Sequence, residues 1–300
     1  MSSTTDDGDR DRYDITRRSN GLARRRVTEK AFAALGVASA LLAVGILALV
    51  LGSVIAKGLS QLSLSFFTEP RPLFGEAGGI ADALVGSALI VGMCMAMAIP
   101  FAVLVAIYMS EYAGPRVSMV LRIVLDVLNG VPAIVVGIFV FGLLVVGRGQ
   151  SAIFGAFSLA ILMLPMVARA TQEVLEVIPR SLREASLALG VTKWRTTVGI
   201  VLPSALGGIL TGVVISVARV AGETAPLLFT SSIAANAVSF DVSSALPTLP
   251  VAIFVFSESP DPSEQAMAWA AAFVLIAFVL VMNVLAKIFA GRKRRQLEGS

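Results

Sequence analysis

The 300-residue chain contains no histidine and a single cysteine, Cys94. Zinc sites and Ser-His or Cys-His catalytic centres depend on these residue types, so both kinds of centre are excluded and no cofactor is expected. Cys94 lies inside an apolar run, and we expect it to be a small buried apolar residue. The chain also lacks the G-x-x-x-x-G-K-[ST] pattern that cradles ATP phosphates. Any ATP hydrolysis would therefore take place in a separate subunit, and the chain itself is not expected to be an enzyme.

Charged residues are also scarce. They make up 15% of the sequence, whereas soluble domains contain about 25%, and hydrophobic residues make up 56%. The formal net charge of +4 does not indicate a nucleic-acid partner, because the basic residues form short clusters beside apolar runs. The lipid bilayer is the environment that this composition predicts.

Six apolar runs are long enough to cross a hydrocarbon core of about 30 Å as helices. The first run is longer than the core of a cleaved signal peptide, which spans about 7–15 residues. Because the runs are apolar all round, without period-2 alternation, they favour helices over barrel strands. We predict an all-α membrane protein with six transmembrane helices near residues 31–56, 80–108, 120–146, 151–168, 204–225 and 266–289.

The distribution of Lys and Arg predicts the orientation of the chain. Most of the 24 basic residues lie in the N-terminal tail, the connection after the second span, the loop 169–203 and the C-terminal end, whereas residues 224–265 contain none. Both termini are therefore expected in the cytoplasm. The predicted organisation is a cytoplasmic, disordered tail (1–30), a first transmembrane helix with an outer loop (31–79), a core of five transmembrane helices that includes the loop 169–203 (80–289) and a basic cytoplasmic tail (290–300).

The loop 169–203, called the charged loop below, contains clear helix signals. Ser181 and Glu184 fit a capping box at the start of a short helix. Gly190 suits the left-handed position that ends such a helix, and Thr192 can cap a second short helix. A helix-turn-helix of this kind suits docking onto a soluble partner.

The string Glu184-Ala185-Ser186-Leu187-Ala188-Leu189-Gly190, followed by Ile200-Val201-Leu202-Pro203, resembles the EAA loop of binding-protein-dependent ABC permeases. Ser186 stands where that pattern has its second alanine. The resemblance implies a type I ABC importer bundle, in which this loop is the coupling helix that sits in a groove of the ATP-binding subunit. It implies coupling roles for Glu184, Ala185, Ser186 and Gly190. A merely structural amphipathic loop is the alternative.

The fifth span holds the one deeply placed basic residue, Arg219, and Glu223 follows four positions later, so the two are expected to share a helix face. Ionised groups in a span normally line a polar path or pair with each other. Arginine also suits tetrahedral oxyanions through its forked donors. Arg219 and Glu223 therefore indicate either an anion path or a structural ion pair. Arg169, at the end of the fourth span, would extend that path or act only as an orientation signal.

The stretch Arg219-x-x-Gly222-Glu223-Thr224 resembles a sequence found in the phosphate permeases of the Pst system. The amino-acid sequence of residues 222–229 is most similar to that of their A-type subunits. Two other stretches agree, 78–87 and Asn129–Val135, and the likeness covers about residues 78–290. The resemblance implies an ATP-driven phosphate importer with four kinds of subunit. This chain would form a heterodimer with a second permease subunit, and two ATP-binding subunits and an extracytoplasmic phosphate-binding protein would complete the complex.

Two alternatives remain at this point. An ABC permease for another oxyanion, such as molybdate or sulfate, would carry the same charged loop. An ion-coupled secondary transporter would use Arg219 and Glu223 as a proton relay, although the charged loop counts against it.

Overall fold

The computed structural model describes residues 19–71, 78–232, 234 and 237–298, and the contacts divide the chain into two units, residues 1–53 and 54–300. The part of the predicted tail before Ser19 lies outside the described residues. All secondary structure in the described residues is helical.

The first unit consists of most of α1, which extends from Ser19 to Gly58. Residues 19–30, expected to be part of a disordered tail, are therefore helical. A long apolar run favours helix over its whole length, and the basic residues before it extend the same helix without having to enter an apolar environment. The stretch Arg25–Gln61 is apolar enough to cross a membrane, and residues 25–50 are exposed. Such a helix surface is suited to lipid.

The second unit contains four long helical stretches. These are Ala81–Tyr112 (α3, Ala81–Ile107, with a π-helical last turn), Ala152–Val177 (α6), Lys193–Val220 (α8, Lys193–Thr196, a π-helical turn, and α9, Leu202–Val220) and Pro262–Glu298 (α12). Shorter helices are α2 (Leu64–Thr68), α7 (Arg180–Ala188), α10 (Ala225–Thr230) and α11 (Leu249–Glu258). With α1, the described residues thus hold five stretches that are long and apolar enough to span a membrane.

The third predicted span is not one straight helix. It consists of α4 (Pro115–Gly130) and α5 (Ala133–Val140, followed by a π-helical turn to Val145), and the two are bent by 93°. The break lies at Val131-Pro132, because proline has no N–H to donate and disfavours helical geometry in the residue before it. If this bent pair is counted as one span, the described residues contain the six predicted spans.

The core of the second unit is formed where α3, α6 and α9 pack together. Small residues allow this close approach. A Cβ atom on Gly208 would lie 2.6 Å from a methyl carbon of Val174, and one on Gly212 would lie 2.6 Å from the Cβ of Ala170. The two glycines, spaced as G-x-x-x-G, thus let α9 lie close against α6. Cys94 is fully buried in the same core, as expected.

The predicted outer segment 224–265 packs into the bundle. Ser231 donates a hydrogen bond from its hydroxyl to the Leu246 carbonyl (2.8 Å) and accepts one from the Leu246 N–H (3.0 Å). Gln150 accepts a hydrogen bond from the Ser232 N–H (2.8 Å). Farther along, hydrogen bonds from the hydroxyl and the N–H of Ser243 lower the pKa of Asp241 below its ordinary value. The segment therefore holds the ends of α6 and α10 together.

Candidate functional site

Arg219 is the second-last residue of α9, which ends at Val220. The next residues form a tight turn, in which the Gly222 N–H donates to the Arg219 carbonyl (3.1 Å) and the Glu223 N–H donates to the Val220 carbonyl (3.0 Å). The prediction that Arg219 and Glu223 share a helix face is therefore wrong. Gly222 weakens the helix, and Pro226 belongs to the first turn of α10 instead of continuing α9.

Arg219 and Glu223 nevertheless line the same small cavity, of about 70 Å³. The cavity lies where the end of α9 meets the break between α4 and α5. Arg219 is exposed on the chain and Glu223 is half-buried. The other lining residues are Leu128, Asn129, Val131, Ala133, Leu162, Met166 and Val220. The cavity is thus lined by residues of two stretches that were singled out separately in the sequence, 129–135 and 219–224.

The charge of Arg219 is not neutralised within the described part of the chain. No carboxylate oxygen there lies within 4.0 Å of its guanidinium, whereas other arginines of the second unit form ion pairs at 2.6–2.9 Å. The ion pair that Arg219 and Glu223 would form in the structural alternative is thus not made. An exposed, unpaired guanidinium beside a polar helix break is a suitable contact for an anion.

Arg169 has a different environment. Its guanidinium forms an ion pair with Asp126 of α4 at 2.9 Å, and it does not line the Arg219 cavity. Asp126 could not be chosen as its partner from the sequence, because the two residues lie on different helices. The positive charge of Arg169 is therefore largely balanced by a neighbour.

The charged loop is helical from its first residue, because α6 continues to Val177. The predicted capping box is wrong, because Pro179 is the N-cap residue of α7 and Ser181 lies within the first turn. The fixed φ of Pro179 lets the helix start at Arg180 without a side-chain cap.

The end of α7 confirms the prediction for Gly190. Its φ is +78°, in the left-handed region that glycine adopts without strain. The Gly190 N–H donates to the Leu187 carbonyl (3.0 Å), and the Val191 N–H donates to the Ser186 carbonyl (3.2 Å). This pair of bonds is a Schellman motif. Thr192 is the N-cap residue of α8, as predicted, although its side chain makes no capping bond.

The two short helices have a buried and an exposed face. Ser186 is buried, and its hydroxyl shares a hydrogen bond with the Thr196 hydroxyl (2.8 Å), which joins α7 to α8. Glu184 and Ala185 are exposed. Large apolar side chains are exposed beside them: Leu187, Leu189 (83%) and Trp194 (63%). The charged loop thus presents an apolar surface with no partner in this chain's described residues.

A salt bridge that was not predicted from the sequence joins Arg183 of α7 to Glu111, in the last turn after α3. Two guanidinium nitrogens of Arg183 contact the Glu111 carboxylate, and the shortest distance is 2.7 Å. The pair borders an open cleft of about 590 Å³ between α7 and the ends of α3 and α6. Only the fold brings these two residues together, because they are separated by 72 positions.

The fold is shared with known permease structures. A bacterial ABC transporter involved in the import of the acidic polysaccharide alginate matches 89% of this chain and 99% of its own (TM-score 0.61, 13% identity). An inward-facing structure of the MetNI methionine ABC transporter matches 72% of this chain and 94% of its own (TM-score 0.55, 17% identity). The described helices thus have the fold of type I ABC importer permeases.

Sequence comparison gives the family. Residues 98–295 match the family described as binding-protein-dependent transport system inner membrane component, so the chain belongs to that family and is a multi-pass protein of the cell membrane. The phosphate transport system permease protein PstA of Pasteurella multocida is 39% identical over 248 residues (82% of this chain, 88% of the relative). PstA of Haemophilus influenzae is 36% identical over 272 residues (90% and 96%). PstA 1 of Mycobacterium tuberculosis is 41% identical over 226 residues (74% and 73%).

Proposed function

We propose that this chain is the A-type permease subunit of an ATP-driven phosphate importer, in which it forms one side of the translocation path. The observation that carries the proposal is its identity of 36–41% to relatives named as PstA phosphate permeases over most of both chains. The unpaired Arg219 beside the α4–α5 break adds a physical reason, because an anion that crosses a bilayer needs a positive group that remains free to attract it.

A second permease subunit, similar to PstC, completes the path. Arg219 and Asn129 are exposed on the surface of this chain. Polar and ionised side chains on membrane helices are costly unless they face a water-filled cavity or another protein. The surface around the 70 Å³ cavity therefore faces the second permease subunit, and the translocation path lies between the two subunits. An extracytoplasmic phosphate-binding protein would deliver the anion.

Within this path, Arg219 attracts the anion and Glu223 keeps the local field from holding it too tightly. Arg169 would extend the route toward the charged loop, with its field weakened by Asp126 at 2.9 Å. The nearby carboxylates partly balance the positive charges along the route. The anion is therefore attracted but not trapped, because conduction requires a site that binds the ion and also releases it readily.

The charged loop would couple this path to two ATP-binding subunits. Glu184 and Ala185, with the exposed Leu187, Leu189 and Trp194, form the surface that docks in the groove of an ATPase. Ser186 and Gly190 act from inside the loop, since one joins α7 to α8 and the other fixes the turn between them. Closure of the ATPase pair on ATP would then move the loop and turn the bundle outward.

The substrate is tested in proteoliposomes that contain the complete complex and its binding protein. Uptake of radiolabelled phosphate is measured while unlabelled sulfate or molybdate is added in large excess. We expect only unlabelled phosphate, or its close analogue arsenate, to compete. No uptake of radiolabelled phosphate, together with uptake of radiolabelled sulfate or molybdate by the same proteoliposomes, would assign the chain to the other oxyanion importers.

A further inference from the structure

We propose that Arg183 is a positioning residue that links the coupling helix to the membrane span α3, so that a displacement of the charged loop moves α3 as well as α6. This inference rests on the proposed function, because it assigns a role within ATP-driven transport. The link is the salt bridge between Arg183 and Glu111.

The guanidinium of Arg183 contacts two other elements at once, the last turn after α3 and the end of α6. Its Nη2 donates to Oε1 of Glu111 (2.7 Å), and its Nε donates to both carboxylate oxygens (3.0 and 3.2 Å). The remaining donors reach the end of α6, where Nη1 bonds the Ile178 carbonyl (2.7 Å) and Nη2 bonds the Leu175 carbonyl (2.9 Å). These carbonyls lie at the C-terminal end of α6, where a cation is favourable, and the Leu175 carbonyl also accepts a hydrogen bond from the Ile178 N–H (3.4 Å).

The burial of the pair makes it a strong connection. The side chain of Glu111 is 6% exposed and that of Arg183 is 19% exposed, so water screens their attraction weakly. The exposed ion pair between Arg122 and Glu176 provides a comparison, since its side chains are 43% and 47% exposed. The flat fork of arginine is needed at Arg183, because the single ammonium of lysine cannot reach the carboxylate and both carbonyls together.

The covalent chain does not provide this connection. α7 follows α6 through only Ile178 and Pro179, so any displacement of α7 reaches α6 directly. α3 is remote in sequence, and Glu111 is the residue near its end that α7 holds by an ion pair. A second, weaker contact supports the junction, because the Lys193 ammonium lies 5.0 Å from the centre of the Tyr112 ring. α3 also packs along α6 in the core, so the junction lets the two helices move as a pair.

The first test measures coupling in the reconstituted complex with its ATPase and binding protein. For Arg183→Gln, Arg183→Lys and Glu111→Gln we expect the phosphate imported per ATP to fall at least about fivefold. ATP hydrolysis should also lose its stimulation by phosphate-loaded binding protein. Arg122→Gln is the matched control, because it removes an exposed arginine ion pair between α4 and α6 that involves neither Arg183 nor Glu111, and it should leave both values unchanged.

A chemical cross-link separates a mechanical role from a merely structural one. In a Cys94→Ala background, the double variant Glu111→Cys with Arg183→Cys should be uncoupled. A short bis-maleimide reagent that joins the two thiols should restore coupling, whereas N-ethylmaleimide, which modifies them without joining them, should not. Restoration by N-ethylmaleimide, or full coupling in Arg183→Gln, would overturn the inference.

The outcomes also separate this inference from the proposed function. If the unmodified complex imports no phosphate, the proposed function fails. If the unmodified complex imports phosphate and Arg183→Gln remains coupled, only the role of Arg183 fails. If Arg183→Gln does not assemble and the cross-linked variant remains uncoupled, the salt bridge serves folding alone and the inference is likewise overturned.

Discussion

Gly190 holds the turn between the two short helices of the charged loop in a left-handed conformation, with φ +78°. A Cβ atom there would meet no other atom within 4 Å, so the effect of a substitution is one of backbone conformation alone. Gly190→Val should cost about 1–2 kcal/mol in the left-handed region and should tilt α7 away from its docking orientation. We expect the variant to be inserted in the membrane but to hydrolyse ATP without phosphate uptake, as measured in proteoliposomes.

Asparagine is the control at this position, because it enters the left-handed region more readily than valine. Gly190→Asn should keep most of the uptake. Full uptake by the valine variant would contradict a coupling role for this turn.

Arg219 offers the second prediction at the residue scale. Because no described carboxylate lies within 4.0 Å of it, Arg219→Gln should not disturb assembly. It should nevertheless abolish most phosphate uptake, and adding Glu223→Gln should not restore it. Uptake and ATPase activity are measured together, so that a folded but inactive complex is recognised. Recovery of uptake in the double variant would show that the two residues only balance each other and would remove Arg219 from the path.

At this scale the sequence predicts local features and misses distant ones. The left-handed conformation of Gly190 was predictable, because it depends only on the end of the short helix that directly precedes it in the sequence. The partners of Arg169 and Arg183 were not predictable, since Asp126 and Glu111 lie on other helices and only the packing of α3, α4 and α6 brings them close. Asn129 and Arg219 line one cavity. Both stretches were singled out in the sequence, but their contact with the same cavity was not predictable, because it also depends on how the helices pack.

At the scale of elements, the contact between α6 and α9 depends on glycine. Gly212→Val should place its side chain against Ala170, where even a Cβ would lie 2.6 Å away. Overpacking of this kind costs about 1–3 kcal/mol, so we expect a lower midpoint of thermal unfolding in detergent. Gly92→Val is the control, because a Cβ on Gly92 in α3 meets nothing within 4 Å. Equal midpoints for the two variants would contradict the close packing.

Hydropathy predicted where most apolar helices lie but not how they are shaped. The run 120–146 remains apolar through Val131-Pro132, so a hydropathy window registers one span where the structure has two helices bent by 93°. The end of α9 before Glu223 was missed for a related reason. Gly222 and Pro226 weaken a helix without lowering its apolar character, and the packing of α10 against α5 and α6 decides where the chain turns.

At the scale of the whole molecule, the orientation in the membrane remains a prediction from the basic residues. Single cysteines in a Cys94→Ala background test it through labelling of intact cells by an impermeant maleimide. Cysteines in place of Arg148 and Asp241, which are both exposed, should be labelled from outside. A cysteine in place of Leu189 should be labelled only after the membrane is opened. Labelling of the Leu189 position in intact cells would contradict both the orientation and docking of an ATPase on the charged loop.

The energy source of phosphate uptake distinguishes an ATP-driven importer from an ion-coupled transporter most directly. Proteoliposomes that contain this chain, its partner permease, the ATPase and the phosphate-binding protein are supplied with ATP on the ATPase side, and phosphate uptake is followed with and without a proton ionophore. We expect uptake that requires ATP and the binding protein and continues when the proton gradient is dissipated. Uptake that persists without ATP and stops with the ionophore would contradict this expectation and identify an ion-coupled transporter.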